Sequence, residues 1–145
     1  MLERRLIDSL YTEAMLLGDE ARGYFGEPCH TARDALLALD RMHFSIEALK
    51  ITTRLMHILS WLLTQRAVDA GEISPQMALA QTHRLAPAID SDPAIVAALP
   101  DEARALAEGS IELYRRVQRL DDSLDAKTAG SNPAHQLLDR LKDAL

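Results

Sequence analysis

Five histidines and one cysteine are the residues of this chain best suited to metal binding or acid–base chemistry. His43 and His57 fall on one side of a predicted helix, but their spacing of 14 residues corresponds to about 21 Å along the helix axis. A single metal ion cannot bridge that distance. Cys29 and His30 are adjacent, yet the sequence holds no second cysteine and no HxxxH pair. We therefore expect neither a metal site nor a cofactor.

Motifs for phosphate binding or nucleophilic catalysis are also missing from the sequence. The glycines are dispersed, and none forms a GxGxxG or GxxxxGK loop. No GxSxG nucleophile motif occurs. Cys29 has His30 beside it but no orienting acid, and a lone cysteine of this kind is usually inactive. We expect no catalytic residues and no enzymatic activity.

A polar strip on the same predicted helix is a better candidate for a functional surface. At 100° per residue one side of the helix carries the residues that we call the polar strip: His43, Glu47, Lys50, Arg54, His57 and Trp61. Because Arg and Trp are enriched at binding hot spots, we predict that Lys50, Arg54, His57 and Trp61 bind a partner. The alternative is a solvated helix face on which Glu47 and Lys50 form an i,i+3 pair.

The helix that positions this strip is predicted over residues 39–70, which contain no Gly or Pro. Its apolar residues lie on two opposite sides. One side carries Met42, Ile46, Leu49, Thr53, Met56, Leu63 and Ala67, and the other carries Phe44, Ala48, Ile51, Leu55, Ile58 and Leu62. Since a surface helix normally has one apolar stripe, this helix needs two partners. We predict a dimer interface at Phe44, Ile51, Leu55, Ile58 and Leu62, although another segment of the same chain is an alternative cover.

Shorter patterns predict the remaining elements. A first helix spans residues 2–24, followed by a loop at 26–33 in which Thr31 is a candidate N-cap. Gly71 ends the long helix, and Ser74 caps a short helix over 74–85. An irregular connection with one helical turn follows at 86–100, and a third main helix capped by Asp101 spans 102–125. We predict one domain over residues 1–126, and a linker with a short amphipathic tail over 127–145.

Composition limits the classes of function. The apolar fraction of 48% is ordinary for a folded domain, and the longest apolar run is too short to cross a bilayer. The formal net charge of −6 argues against nucleic-acid binding, which requires a basic surface. A single cysteine suits a reducing compartment, and the start of the chain lacks a signal-peptide pattern. We expect a cytoplasmic protein without a membrane partner.

Several motifs together suggest a family. In the long helix they are TTRLM (52–56), SWLL (60–63) and QRAV (65–68), followed by GE (71–72). Supporting matches are EAM (13–15), Tyr24, HRL (83–85), LYRRV (113–117) and Leu120-Asp121. With these motifs, residues 6 to about 125 resemble the alphaproteobacterial RcdA family (regulator of CtrA degradation, DUF1465).

The resemblance implies an all-α antiparallel three-helix bundle with a long central helix, a short extra helix and a flexible C-terminal tail. It also implies a homodimer without catalytic activity. Members of the family look like adaptors that bridge the primed ClpXP protease, other adaptors and cell-cycle substrates. The tail LLDRLKDAL presents Leu138, Leu141 and Leu145 on one face, and we predict that it binds the protease or another adaptor. The alternative function is a small helical transcription or signalling regulator that binds DNA or a receiver domain through Lys50, Arg54 and Arg66.

Overall fold

The computed structural model describes residues 2–80, 83–87, 89–131 and 140–144, with side chains described over 4–80, 83–87, 89–125 and 140–144. The helices are α1 (Leu2–Gly26), α2 (Cys29–Asp34), α3 (Ala38–Asp69), α4 (Pro75–Ala78), α5 (Pro93–Ala97) and α6 (Asp101–Ser131). Residues 140–144 are also helical. No strand occurs in the described ranges, and the chain has the predicted all-α fold.

Three long helices build the core, since α1, α3 and α6 each pack against the other two. The helix α1 contributes one face on which buried residues recur at helical spacing. These residues are Ile7, Leu10, Ala14, Ala21 and Tyr24. On α6 the corresponding face consists of Ala103, Leu106, Ala107, Leu113, Tyr114 and Val117. Both helices therefore pack as ordinary amphipathic helices around α3.

The central helix α3 buries one of its two apolar sides. Phe44, Ile51, Leu55, Ile58 and Leu62 are only 0–4% exposed and belong to the core that α1 and α6 share. The opposite side faces outward, and we call it the outer stripe: Met42, Ile46, Leu49, Met56 and Leu63, exposed by 43–67%. One chain thus covers one apolar side of α3 and leaves the other open.

Local capping explains where the central helix ends and where the short helices α4 and α5 begin. Gly71 has a φ of +74°, and Gly71 N and Glu72 N donate to Val68 O and Ala67 O at 3.0 and 2.9 Å. This is the Schellman pattern that ends a helix at glycine, as predicted. The predicted cap at Ser74 is confirmed, because Met77 N donates to Ser74 Oγ at 3.2 Å. The side chain of Asp92 caps α5 in the same way, accepting from Ala94 N at 2.9 Å.

Some predicted boundaries differ from the structure. Residues 29–33 of the predicted 26–33 loop belong to α2, which starts after Pro28, so Thr31 lies inside a helix and is not its N-cap. The helix predicted over 74–85 is only one turn long. Asp101 lies in the first turn of α6 and accepts from Arg104 Nη2 at 2.9 Å. The third long helix continues to Ser131, so the predicted start of the linker at 127 falls within it.

None of the helices in the described ranges is long and apolar enough to span a membrane.

Candidate functional site

The polar strip of α3 faces the interior of the chain over most of its length. Glu47, Arg54 and Trp61 follow one another at intervals of seven residues, which is close to two helical turns. All three side chains belong to residues that are only 2% exposed. Buried charges require hydrogen-bonding partners, and these partners come from α6 and from the connection that follows α4.

Arg54 is the centre of the first hydrogen-bond network. Its Nη1 donates to Ser110 Oγ of α6 at 2.7 Å. Its Nη2 donates to Ile89 O at 2.8 Å and to Ser91 Oγ at 3.0 Å. Burial lowers the pKa of the Arg54 guanidinium, and the nearby carboxylates of Glu47 and Asp90 oppose that shift. The guanidinium thus joins α3, α6 and the connection between α4 and α5.

Glu47 and Lys50 extend this network along α3. Ser91 Oγ donates to Glu47 Oε2 at 2.7 Å, so one hydroxyl links Glu47 to Arg54. Lys50 Nζ lies 3.4 Å from Glu47 Oε1 and donates to Asp90 O at 2.8 Å. The i,i+3 pair expected between Glu47 and Lys50 is present, but it holds another segment of the chain and is not a solvated surface pair.

Trp61 belongs to a second network, centred on Asp121 of α6. Trp61 Nε1 donates to Asp121 Oδ1 at 2.9 Å. Arg84 donates to both oxygens of the same carboxylate, from Nε at 2.8 Å and from Nη2 at 2.9 Å. Asp125 lies 3.4 Å from Arg84 Nη1. The hydrogen bond to Asp121 is the main reason that the pKa of Arg84 is raised.

Both networks hold the same irregular segment, which we call the strap: residues 83–87 and 89–92. In addition to the contacts above, Tyr114 Oη of α6 donates to Ala86 O at 2.7 Å. Burial raises the pKa of Tyr114, and Asp121 and Asp122 add to that shift. The strap therefore crosses α3 and α6 and is fastened at Arg84, Ala86, Ile89, Asp90 and Ser91.

The structure changes the prediction of a partner site on the polar strip. Arg54 and Trp61 are used inside the chain and are not accessible to a partner in this conformation. Lys50 is half-buried under the strap. His57 is partly exposed, and its Nδ1 is buried without a hydrogen-bond partner among the described residues. Of the tail residues, Leu141 is 55% exposed, while Leu138 and Leu145 lie outside the described residues.

The predicted dimer interface requires a correction as well. Its five residues, Phe44, Ile51, Leu55, Ile58 and Leu62, are buried by α1 and α6 of the same chain. A second subunit cannot reach them without unfolding the bundle. The surface of α3 that remains open to a partner is the outer stripe, on the side opposite the predicted interface.

The alternative function as a nucleic-acid or receiver-domain regulator loses part of its proposed surface. Arg54 is buried, and Arg66 lies with its Cζ 4.4 Å from the centre of the Tyr11 ring. Arg66 Nε also lies 3.5 Å from Asp8 Oδ1. With the two arginines on different sides of α3 and paired within the chain, they do not form a common basic surface.

Sequence reasoning missed the residues that complete the hydrogen-bond networks of the polar strip: Arg84, Ser91, Ser110 and Asp121. The signal for two of them is present in the sequence, because Ser110 and Asp121 fall on the apolar face of α6 at helical spacing. A polar residue on a buried face needs a buried partner. Arg84 and Ser91 lie in an irregular segment, where no periodicity indicates which side faces the protein.

Comparisons with known proteins agree with this architecture. A family model described as DUF1465, a protein of unknown function, matches residues 1–145. Among solved structures, RcdA from Caulobacter crescentus CB15 is 33% identical and superposes with a TM-score of 0.68. The match covers 82% of this chain and 90% of that one. No curated protein matches the chain.

Proposed function

This chain belongs to the DUF1465 family, and we propose that it is a non-enzymatic adaptor in regulated proteolysis, tethering regulatory substrates to the ClpXP protease in the cytoplasm. The observation that carries the proposal is the similarity to RcdA in both sequence and fold over most of the two chains. The RcdA family looks like a family of protease adaptors, and most of the motifs quoted above lie in α1, α3 and α6.

Tethering is a function that this architecture can perform without catalytic groups. An adaptor that binds a protease and a substrate together raises the effective concentration of one near the other, with no change in the chemistry of cleavage. Such a protein needs a rigid body and exposed binding surfaces. The helices α1, α3 and α6 supply the rigid body, and the outer stripe and the exposed Leu141 are candidate contact surfaces.

We assign the outer stripe to a homodimer interface. From Met42 to Leu63 the stripe runs about 31 Å along α3, and a two-fold axis across it would place the same residues on both sides. Covering the exposed half of each side chain contributes about 1 kcal/mol, or about 10 kcal/mol for ten side chains. Since association costs about 4–15 kcal/mol, the free energy gained by burying the stripe is close to the cost of forming the dimer. A single charge at its centre should therefore prevent dimerisation.

Sedimentation velocity tests the dimer separately from the adaptor function. We expect the wild type to sediment as a dimer and Leu49→Glu as a monomer with an unchanged circular dichroism spectrum. Leu16→Glu is the matched control, because Leu16 is similarly exposed on α1 (62% against 67%) and lies outside the stripe. A wild type that remains monomeric at high concentration would contradict the assignment.

We further propose that the tail binds the protease or another adaptor as a short amphipathic element. Within the described part of the tail, all of residues 140–144 are exposed, including Leu141. A chain truncated before residue 132 should keep the folded bundle and lose protease association. Unchanged association of the truncated chain would remove the tail from the proposal.

Reconstituted degradation is the decisive experiment for the proposed function. ClpXP, its priming factor and a candidate regulatory substrate are incubated with and without this protein, and the loss of substrate is followed on gels. We expect faster degradation at an unchanged ATP hydrolysis rate, and a decline at excess adaptor because bridging partners are then separated. If no substrate is degraded faster with all upstream adaptors present, the proposal is wrong.

A further inference from the structure

The strap is held against the bundle mainly by polar contacts. Arg84, Ser91 and the backbone carbonyls of Ala86, Ile89 and Asp90 make its hydrogen bonds to α3 and α6. Among the described residues of the strap, only Leu85 is a partly buried hydrophobic residue that packs against the core. Its described residues from 85 to 92 have no regular secondary structure. A segment with little apolar burial opens at a lower free energy than the helices of the core.

The surface beneath the strap has the composition of a binding site. It presents a guanidinium (Arg54), a phenol (Tyr114) and an indole (Trp61), which are the side chains most enriched at binding hot spots. Two buried carboxylates, Glu47 and Asp121, lie at the two ends of this surface. With the strap removed, each of these groups would need a new hydrogen-bonding partner.

An open space beside the strap gives a ligand a way in. A cavity of about 570 Å³ lies between α5 and α6. Arg54, Tyr114 and the strap residues Ile89, Asp90 and Ser91 contribute to its walls. The cavity therefore places an open space next to three of the strap residues that make hydrogen bonds to α3.

We propose that the strap is an intramolecular ligand that an extended segment of a partner protein displaces. The partner segment carries a basic side chain that replaces Arg84 on Asp121, and seven residues later a hydroxyl that replaces Ser91 between Glu47 and Arg54. Its backbone carbonyls take the positions of those of Ala86, Ile89 and Asp90. The inference does not rest on the proposed adaptor function, because it concerns the binding of a peptide and not degradation.

A peptide that copies the strap tests this directly. The probe is a fluorescein-labelled peptide of residues 83–92, HRLAPAIDSD. It is titrated into the full chain and into the double variant Arg84→Ala/Ser91→Ala, which weakens the strap and leaves its binding surface intact. By fluorescence anisotropy we expect the variant to bind the peptide at least about tenfold more tightly than the wild type, whose own strap competes at high effective concentration.

A control peptide with alanine at the positions of Arg84 and Ser91 should bind the variant at least about tenfold more weakly than the copy. Equal binding of the two peptides, or binding of neither, would overturn the proposal. Equal binding of the copy to wild type and variant would overturn it as well, since displacement would then play no part.

Native-state proteolysis of the wild type gives an answer even if the variant does not fold. Trypsin cleaves after Arg84 only when that side chain has left Asp121. We expect cleavage at Arg84–Leu85 at a rate that is independent of low urea concentrations, while α1, α3 and α6 stay intact, because the strap opens without the bundle. Cleavage that occurs only at the rate of global unfolding would refute an independently opening strap.

Discussion

Asp121 holds the second polar network together, and replacing it by alanine should be among the most destabilising changes on α6. Its carboxylate accepts from Trp61 Nε1 at 2.9 Å and from Arg84 Nε and Nη2 at 2.8 and 2.9 Å. Asp121 is 6% exposed, and Trp61 is 2% exposed. The change therefore removes the carboxylate that accepts hydrogen bonds from both Trp61 and Arg84, in a site with little access to water.

The two donors contribute differently to the cost. The indole N–H of Trp61 is left buried without an acceptor, which costs about 1–3 kcal/mol. Arg84 keeps 26% of its side chain exposed, so water replaces part of what it loses, and its share is about 1 kcal/mol. The total of about 2–4 kcal/mol corresponds to a decrease in Tm of roughly 5–15 °C for a domain of this size.

Thermal unfolding monitored by circular dichroism measures this decrease, and the fluorescence of Trp61, the sole tryptophan, reports on the site itself. Asp121→Asn is the matched control. It keeps the oxygen that accepts from Trp61 Nε1 and Arg84 Nε, and it loses the negative charge and the oxygen that accepts from Arg84 Nη2. Its Tm should therefore fall by less than half as much. If Asp121→Ala leaves the Tm within about 2 °C of the wild type, the network does not stabilise the fold and the reasoning fails.

Three further changes test other parts of the structure. Ser110→Ala should cost about 1–3 kcal/mol in urea unfolding, because Arg54 Nη1 loses a buried acceptor at 2.7 Å; a cost below about 0.5 kcal/mol would contradict this. Gly71→Ala should cost about 1 kcal/mol, because φ is +74° and no atom lies within 4 Å of the added Cβ. Gly18→Ala, at an equally open position inside α1, should instead stabilise by about 0.5–1 kcal/mol. Burial raises the folded pKa of Tyr114 above 10.0. The protonated hydroxyl therefore contributes its full stabilisation of the folded state below about pH 10, and this contribution is lost as the pH rises through the folded pKa. Tyr114→Phe should therefore show a weaker decline of unfolding free energy between about pH 9 and 11, and an unchanged decline would refute the assignment.

Hydrophobic periodicity was sufficient to predict the three long helices. The core positions of α1, α3 and α6 recur every three or four residues, and Gly71 and Ser74 act as local signals that need no tertiary information. One apolar side of α3 is buried and the other is exposed, and a second partner for this helix stays a prediction. Which side faces the chain itself depends on α1 and α6, so the pattern of α3 alone could not decide it.

The polar strip shows why the candidate site was harder to predict. Charged residues on a helix usually face solvent, yet Arg54 is paired with Ser110, 56 residues away, and Trp61 with Asp121, 60 residues away. Such pairs depend on how two helices are aligned, and periodicity within one helix carries no information about that alignment. Only the unusual position of Ser110 and Asp121 on the apolar face of α6 indicated that α3 presents polar groups to it.

The burial of the polar strip also has a consequence for the unfinished chain during its synthesis on the ribosome. Ser91, Ser110 and Asp121 all follow α3 in the sequence, so Glu47 and Arg54 lack these buried partners while only α1 and α3 have left the ribosome. Charged side chains on the open side of this early helix pair oppose its association with other unfinished chains. Once α6 emerges, the same side chains become interior hydrogen-bonding groups and fix its position on α3.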